Sequence, residues 1–448
     1  MEQIGGENVG QRTSLRKVVT ASLVGNAVEW YDFFLYGTAA ALVFNELFFP
    51  EFDPLVGTLA AFSTFAVGFL ARPVGGLIFG HYGDRIGRKA MLVITLLIMG
   101  IATTLIGLLP TYYAIGIWAP LLLVTLRILQ GIGVGGEWSG AVLMVVEYAP
   151  GGRRGFFGSM TQSGISLGFV LSTAVFAAVS ALPEEQFLSW GWRVPFLLSI
   201  VLVGVGMYIR LRLLETPAFE QVKESRAEAR MPIIEAVTSQ WKNVLITMGA
   251  RLAENGSYYI LAVFVLAYAT AQLGLPRSTI LIGILVASSL EIFTMVGFGV
   301  LSDRIGRRPV YMGGAAFLVL FAFPFFWLVN TGETALVWLA LVLGLAIGHG
   351  ALIGPQPSFF SELFGTRHRY SGVALGHELA STIAGGFSPL IATGLLAWAG
   401  ASWPVALYII LLGSLTFVSV YVASETFRVE ISEEQRTTPS TEARTEIT

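Results

Sequence analysis

Stretches of about 20 consecutive apolar residues recur along the whole of this sequence. That is the length an α-helix needs to cross the hydrocarbon core of a bilayer, since each residue advances the helix by about 1.5 Å. A membrane β-barrel would instead show segments of about ten residues in which apolar and polar side chains alternate. The sequence therefore predicts an all-α integral membrane protein.

The apolar stretches number twelve and fall into two sets of six. The first set lies at roughly 16–43, 55–82, 90–110, 117–148, 156–181 and 192–213. The second set lies at roughly 241–271, 279–301, 309–329, 334–360, 370–398 and 403–424.

This arrangement predicts two pseudo-symmetric six-helix halves, at 18–213 and 241–424, with an N-terminal tail at 1–17. A polar linker at 214–240 joins the halves. The C-terminal tail at 425–448 has no apolar face to bury, so we expect it to be disordered.

The composition narrows the functional classes. Only 12% of the 448 residues are charged and the chain has no cysteine, whereas about a quarter of the residues of a soluble domain are charged. Disulfides and thiolate chemistry are excluded. The sequence shows no basic nucleic-acid-binding face, no catalytic triad and no phosphate-binding lysine motif, and its four histidines form no metal-ligand cluster. We therefore expect no enzyme activity, metal or cofactor.

The positions of Lys and Arg predict the orientation. Outside the spans, all of them except Arg193 and Arg277 fall on the side of the N-terminus. The opposite connections carry acids instead, as at Glu46, Glu51 and Asp53. By the positive-inside rule both termini and the linker are predicted to be cytoplasmic, which requires an even number of spans.

The two halves also repeat each other in sequence. Residues 80–89 (GHYGDRIGRK) and 299–308 (GVLSDRIGRR) share the pattern G-x-x-x-D-R-x-G-R-[KR] and occupy equivalent connections between spans. In a second repeat, Glu147 precedes Arg154 as Glu362 precedes Arg369. Carriers built from such parallel repeats bind their substrate near the membrane midplane, between the halves.

These motifs resemble the major facilitator superfamily, and the resemblance covers nearly the whole chain. Finer features resemble its metabolite:proton symporter family: 25–33 (GNAVEWYDF), 127–131 (RILQG), 215–217 (ETP) and 362–364 (ELF).

The resemblance implies a multi-pass carrier of the bacterial cytoplasmic membrane. Members of that family carry shikimate, 2-oxoglutarate, citrate, proline or betaine together with protons. The expected partners are thus a small organic acid or zwitterion, protons and membrane lipid, and we expect a monomer. Two alternatives stay open: a non-transporting membrane sensor on the same fold, and a facilitator or antiporter that is not coupled to protons.

Ionisable residues inside spans are informative, because a charge at the bilayer centre costs at least ~2.5 kcal/mol. Glu29 and Asp32 share a face of the first span, and Arg127 lies near the middle of the fourth. The resemblance implies that Asp32 pairs with Arg127 when ionised and releases it when protonated, with Glu29 close by. A purely structural ion pair is the alternative.

A polar stripe on the seventh span predicts a substrate site. Arg251, Glu254, Asn255 and Tyr258 fall within about 100° of one another, so this face cannot contact lipid. A guanidinium offers a rigid two-pronged donor to a carboxylate. Packing against another helix is the alternative. The rest of the predicted site consists of Gln130 and Glu137 on the fourth span and Gln356 on the tenth.

Other intramembrane polar residues are expected to have structural roles. His349 and His377 are interpreted as hydrogen-bonding helix contacts rather than ligands. Arg72 and Glu291 occupy equivalent positions in the two halves, and each is expected to have a fixed partner on an adjacent helix, with Glu378 suggested for Arg72.

The repeated loops predict a cytoplasmic gate. A carboxylate such as Asp84 or Asp303 at the end of one span can cap the N-terminus of a neighbouring helix. Arg88 and Arg307 can then pair with nearby acids. Topology alone is the alternative explanation of these charges. The predicted gate comprises Asp84, Arg88, Glu147, Arg154, Asp303, Arg307, Glu362 and Arg369.

One motif is misleading. Residues 131–136 (GIGVGG) match the dinucleotide fingerprint G-x-G-x-x-G, which requires a preceding strand and a helix that opens at the glycines. Here the glycines lie inside a predicted span. We interpret them as permitting close helix packing.

Overall fold

A computed structural model of the chain describes residues 7–86, 88–135, 138, 142–143, 145–146, 149–150, 152–212, 240–364 and 369–428. Within these ranges the regular structure is entirely helical. Twelve long helices follow one another in the described ranges, which confirms the predicted fold class.

The N-terminal half contains α1 (Glu7–Leu42), α2 (Pro54–Ile86), α3 (Arg88–Leu108), α4 (Trp118–Val134, with helical residues again at 138, 142–143 and 145–146), α5 (Arg154–Ser180) and α6 (Arg193–Arg212). The C-terminal half contains α7 (Trp241–Ala271), α8 (Arg277–Ile305), α9 (Arg307–Asn330), α10 (Thr334–Leu363), α11 (Arg369–Ala380, continuing to Ser388–Ala399) and α12 (Trp403–Val422). Short helices at Phe44–Phe48, Tyr112–Ile115 and Glu184–Gln186 lie in the connections.

Most of these helices can cross a membrane by length and hydropathy alone. In the described chain eight pass that test, or nine if the bent pair Glu184–Gly191 and Arg193–Tyr208 is one span. Helix α1 is long but more polar, because it carries Asn26, Glu29 and Asp32. All three are buried, so this face of α1 contacts protein rather than lipid.

The two halves meet mainly along two pairs of helices, α5 with α8 and α2 with α11; α10 also packs against α5, and α1 against α7. Close approach of α5 and α8 depends on small residues. Gly155 on α5 faces Gly299 on α8, and a Cβ atom on either glycine would overlap the carbonyl oxygen of the other. The helix backbones therefore touch directly at one end of the molecule, here called the termini end because the exit from α12 lies there.

The chain departs from two predicted boundaries. Helix α1 begins at Glu7, inside the predicted tail. The prediction of disorder is wrong for Glu425–Arg428: the Glu425 carboxylate accepts hydrogen bonds from the backbone N–H groups of Arg307 (2.9 Å) and Arg308 (3.1 Å). These donors open α9 and have no partner within the helix, so a carboxylate there is favourable. Residues 213–239 and 429–448 lie outside the described ranges.

The glycine run of α4 packs closely on α2, which confirms its interpretation as a packing motif. A Cβ atom at Gly131 would overlap the carbonyl oxygen of Gly68, and one at Gly135 would overlap that of Arg72. Small residues at these positions let two membrane helices approach to backbone contact.

We predict that Gly131→Ala destabilises the protein whereas Gly313→Ala on α9 does not, since nothing lies within 4 Å of a Cβ atom at Gly313. Overpacking costs about 1–3 kcal/mol, whereas alanine in an open helical position gains up to about 1 kcal/mol. Thermal unfolding midpoints of the detergent-solubilised variants measure the difference. Equal midpoints would contradict the close α2–α4 contact.

Candidate functional site

A small cavity lies between the two halves, near the middle of the helices. Its volume is about 20 Å³, which leaves room for about one water molecule. Every lining residue is buried, so the cavity is closed towards both ends. The lining residues are Trp30, Phe34, Gln162, Ile165 and Ser166 from the N-terminal half and Arg251, Glu254, Asn255, Tyr258, Tyr259, His349 and Ile353 from the C-terminal half.

Arg251 is the cation of this cavity. Its Nε donates to the Ser381 hydroxyl on α11 (2.8 Å), and its Nη1 donates to the carboxylate of Glu254 (2.8 Å) and to the amide oxygen of Gln356 on α10 (2.9 Å). The structure thus brings together three of the predicted substrate-site residues. The guanidinium is 2% exposed, so its charge is balanced by Glu254 rather than by solvent.

Among the described residues, four polar atoms of the cavity lining have no hydrogen-bond partner. Two of them are Nε2 of Gln162 and the hydroxyl of Tyr259. The other two are the amide oxygen of Asn255 and the hydroxyl of Tyr258, both on α7 and both buried. Gly385 on α11 leaves space for that amide, because a Cβ atom there would overlap the Asn255 oxygen. A buried polar group without a partner costs about 1–3 kcal/mol, so both atoms are suited to bind a ligand that enters the cavity.

His349 lies between two carboxylates. Its Nε2 is 3.3 Å from Glu254, and its Nδ1 contacts Glu291 on α8. From the sequence, His349 is interpreted as a hydrogen-bonding helix contact, but these two carboxylate partners are not identified. Sequence reasoning noted His349 and Glu291 separately but gave no means of pairing α8 with α10.

Asp32 and Arg127 do not form the expected direct ion pair in this structure. The Asp32 carboxylate accepts a hydrogen bond from Ser199 on α6 and also interacts with Thr103 on α3. Thr103 in turn accepts from Gln130 (2.7 Å), whose amide oxygen accepts from Arg127 (3.1 Å). The carboxylate and the guanidinium are therefore joined through two intervening side chains.

The position of Arg127 explains this departure. Its guanidinium carbon lies 4.2 to 4.9 Å from the ring centroids of Phe33, Tyr36 and Phe65. Rings at these distances stabilise a cation through their negative faces. Arg72 lies 4.4 Å from the same Phe33 ring and 4.0 Å from Glu378, the acid suggested for it from the sequence.

The remaining predicted site residues are placed as follows. Gln130 bonds to Arg127 and Thr103 and does not line the cavity, and Glu29 is buried on α1. The predicted residues that lie outside the described positions or side chains are Glu137, Asp84, Arg88 and Glu147.

Charged contacts close the termini end. The Asp303 carboxylate at the end of α8 accepts from the backbone N–H groups of Gly155 (2.8 Å) and Phe156 (2.9 Å), which open α5 in the other half. Arg307 lies 2.6 Å from Asp303 and 3.2 Å from Glu362. Arg154 reaches Glu362 across the halves at 3.9 Å, whereas Arg369 donates to the Phe364 carbonyl within its own half.

Aromatic rings close the opposite end. Tyr259 on α7 packs against Phe33, Phe65 and Phe69, with ring centroids 5.4 to 6.3 Å apart. Nearer the surface, Arg277 pairs with Glu184 across the halves at 2.6 Å.

Sequence reasoning missed several residues that shape the cavity. Trp138 on α4 stacks on His377 of α11 with centroids 3.7 Å apart and donates to Gln162 on α5 (3.0 Å). Trp138 also lies under the Arg251 guanidinium, 5.6 Å from its carbon. Nothing in the sequence distinguishes this tryptophan, or Ser381, from the other polar and aromatic residues of the spans.

A buried polar cavity, bounded by two similar helical halves and closed at both ends, is the geometry of an alternating-access carrier. A family model described as Major Facilitator Superfamily matches residues 23–389. The chain belongs to the major facilitator superfamily, and its relatives place it in the metabolite:proton symporter family. It is a multi-pass membrane transporter of small organic molecules and not an enzyme.

Two relatives illustrate the similarity. The shikimate transporter of Escherichia coli (strain K12) is 46% identical over 400 residues, which cover 88% of this chain and 91% of that protein. A glycine betaine/proline/ectoine/pipecolic acid transporter of Dickeya dadantii (strain 3937) is 38% identical over 425 residues, covering 92% and 84%.

The solved structure of a proton:xylose symporter has the same fold. It superposes with a TM-score of 0.72 at 17% identity, covering 93% of this chain and 98% of that chain.

We predict that Asp303→Asn opens the termini end more often, because asparagine offers one acceptor to the two N–H groups and no charge to Arg307. Charge-assisted hydrogen bonds contribute about 1.5–3 kcal/mol each, so opening should increase about tenfold or more. The chain has no cysteine, so Ser159→Cys, buried beside Gly299, is a background-free reporter of opening through its rate of maleimide labelling.

The matched control is Asp53→Asn at the opposite end, where Asp53 accepts from the Leu55 N–H (3.0 Å). This variant should leave the labelling of Ser159→Cys unchanged. An equal labelling rate in Asp303→Asn and the parent would show that the capping contact does not hold the two halves together.

Proposed function

We propose that this protein is a proton-coupled symporter of a small metabolite that carries a carboxylate, either an anion or a zwitterion. The observation that carries the proposal is the buried Arg251, which lines the cavity between the halves beside the unpartnered polar atoms of Asn255 and Tyr258. A carboxylate can take two parallel hydrogen bonds from a guanidinium.

The present cavity must widen before such a substrate can bind. A volume of about 20 Å³ is far below the roughly 300 Å³ at which small-molecule pockets begin. Separation of the halves provides this space and brings the substrate carboxylate into competition with Glu254 for Arg251. The relatives named above agree with this class, since shikimate, proline and betaine all carry a carboxylate.

Asp32 is the proposed proton carrier of the N-terminal half, with Glu29 beside it. Burial removes water from the Asp32 carboxylate, which accepts a hydrogen bond from Ser199. Its contact with Thr103 connects it through Gln130 to Arg127. A protonated Asp32 withdraws one negative charge from this chain of contacts. The state of the proton thus alters how Arg127 is held, without a direct ion pair.

The proposed gate at the termini end uses Asp303, Arg307, Arg154 and Glu362, which hold α8 and α10 against α5. By the repeat in sequence, Asp84, Arg88, Glu147 and Arg369 belong to the same gate.

The termini end is proposed to face the cytoplasm of a bacterial cell, because the Lys and Arg residues outside the spans concentrate there. The N-terminal tail, the linker and the C-terminal tail then lie inside. The cavity is complete within one chain, so the proposal requires only a monomer.

We predict that Arg251→Ala strongly weakens binding of the carboxylate substrate. Loss of a desolvated charge-assisted contact costs about 2–5 kcal/mol, a factor of at least about 30 in affinity. The measurement is a thermal-shift titration with shikimate, proline and glycine betaine, since a ligand stabilises the native state by RT ln(1 + [L]/Kd).

The matched control is Arg193→Ala, which removes a half-buried arginine bonded to the carbonyls of Gly107 and Leu109 far from the cavity. Its stabilisation by ligand should match the parent. Unchanged affinity in Arg251→Ala would assign Arg251 to the scaffold.

We predict that Asp32→Asn loses substrate accumulation driven by a pH gradient but retains exchange, because asparagine resembles the protonated carboxyl and cannot release a proton. The measurement compares gradient-driven uptake in proteoliposomes with counterflow at equal pH, with a protonophore added in parallel. Glu29→Gln is tested alongside. Accumulation by Asp32→Asn would exclude Asp32 as the proton carrier, and parent uptake insensitive to the protonophore would favour a facilitator.

A further inference from the structure

Three titratable side chains of the C-terminal half meet at the cavity. Glu254 on α7, Glu291 on α8 and His349 on α10 form a linear cluster, here called the His349 triad, in which the imidazole lies between the two carboxylates. Their exposed side-chain fractions are 5%, 0% and 3%. Solvent therefore contributes little to the protonation state of the triad.

Helices α5, α7 and α9 contribute side chains next to the triad. Helix α7 contributes Arg251, bonded to Glu254 at 2.8 Å, and the Tyr258 ring, whose centroid is 4.4 Å from that of His349. Helix α5 contributes the Ser166 hydroxyl, 3.3 Å from Glu291. Helix α9 contributes Tyr311, which accepts from Gln356 of α10 (3.2 Å). Arg251 is thus the fixed cation against the two acids of the triad.

The backbones of α8 and α10 fix the positions of Glu291 and His349 relative to each other. His349 ends a π-helical segment, Val342–His349, and such segments are frequent at functional sites. The widened turn leaves the Ala346 carbonyl available to the Thr294 hydroxyl of α8 (2.5 Å). Thr294 lies one helical turn after Glu291, so this bond fixes Glu291 against the imidazole.

The hydrogen bonds of the triad require two protons. A neutral imidazole has one N–H and can donate to only one of the two carboxylates. The other nitrogen would then face a carboxylate oxygen with lone pairs on both atoms. A second proton on the imidazole removes this repulsion, because both ring nitrogens then donate, and leaves the triad with a single negative charge that Arg251 balances.

We propose that the His349 triad is a second proton-binding site, which releases Arg251 to the substrate carboxylate when it is protonated. With the proton bound, Glu254 has a cationic neighbour in His349 and no longer depends on Arg251. Without it, Glu254 and Glu291 both carry negative charge beside a neutral ring, and Glu254 retains Arg251. The release of Arg251 rests on the proposed function, whereas the proton site itself does not.

The first test measures directly which ring nitrogens of His349 carry protons. Full-length protein labelled with ¹⁵N-histidine is reconstituted in lipid, and solid-state NMR is recorded at mildly alkaline pH, where an ordinary imidazole is neutral. We expect both nitrogens of His349 to carry protons in the parent and only one in Glu291→Gln. The His349 signal is assigned by its loss in His349→Gln, or by replacing the other three histidines if that variant does not fold.

His377 provides the internal control. It is equally buried, but only its Nδ1 faces a carboxylate, that of Glu378 at 2.8 Å, and its Nε2 has no partner in the described part of the chain. A single N–H satisfies it, so its signal should be that of a neutral ring. A neutral His349 in the parent, or one doubly protonated in Glu291→Gln as well, would overturn the proposed site.

The second test measures whether substrate binding is coupled to proton uptake by the triad. Isothermal titration with shikimate in two buffers of different ionisation enthalpy gives the number of protons taken up per molecule bound. We expect uptake by the parent above the pH at which the triad loses its proton, and none by Glu291→Gln. Equal uptake in both would overturn the coupling. If shikimate does not bind the parent, the proposed substrate class fails for shikimate, and the NMR result alone decides the proton site.

Discussion

A charge buried among membrane helices must find its partner inside the protein, because hydrocarbon offers none and desolvation costs several kcal/mol per ion. This constraint organises the interior of the present chain. The N-terminal half buries Arg72 and Arg127, and the C-terminal half buries Arg251 beside Glu254. Glu254 neutralises Arg251 within α7, whereas Arg72 and Glu378 meet across the two halves. The helices are thus positioned by their polar faces as much as by their packing.

The two ends of the cavity are closed by different kinds of contact, ionic at the termini end and aromatic at the opposite end. At the termini end, charged groups hold α5 to α8, and each has to be rehydrated when the halves separate. At the opposite end, the rings around Tyr259 separate with little change in charge. Opening the termini end therefore exchanges ionic contacts for water, which makes it sensitive to substitution of a single acid. Opening the other end exposes apolar area, so its cost is spread over many rings.

The sequence predicts the architecture well and the site only in part. Runs of apolar residues depend on local chemistry, so twelve helices and the duplication follow from them directly. Helical spacing also correctly grouped Arg251, Glu254 and Asn255 on one face. Which faces meet is a tertiary property. No spacing in the chain indicates that His349 lies between Glu254 and Glu291, or that Arg127 lies over aromatic rings instead of against Asp32.

The same limit applies to the chain ends. The segment after α12 has the composition of a disordered tail, yet Glu425 caps α9 because that helix begins at the same end with unpaired N–H groups. A cap of this kind depends on where two distant segments meet. Composition could not have indicated it.

The networks around Asp32 and around Arg251 are linked only where the halves touch, among the described residues. Trp138 of α4 lies under Arg251 and stacks on His377, which bonds to Glu378 and so leads to Arg72. Arg72 shares the Phe33 ring with Arg127, the end of the chain of contacts from Asp32. Contact alone does not establish coupling, which requires an element with two arrangements that both sites bias. The interface between the halves is such an element, because the Trp138–His377 stacking and the Arg72–Glu378 ion pair cannot both persist when the halves separate. A proton bound to either network alters the charge at this interface. A substrate carboxylate bound to Arg251 alters the same charge from the C-terminal half.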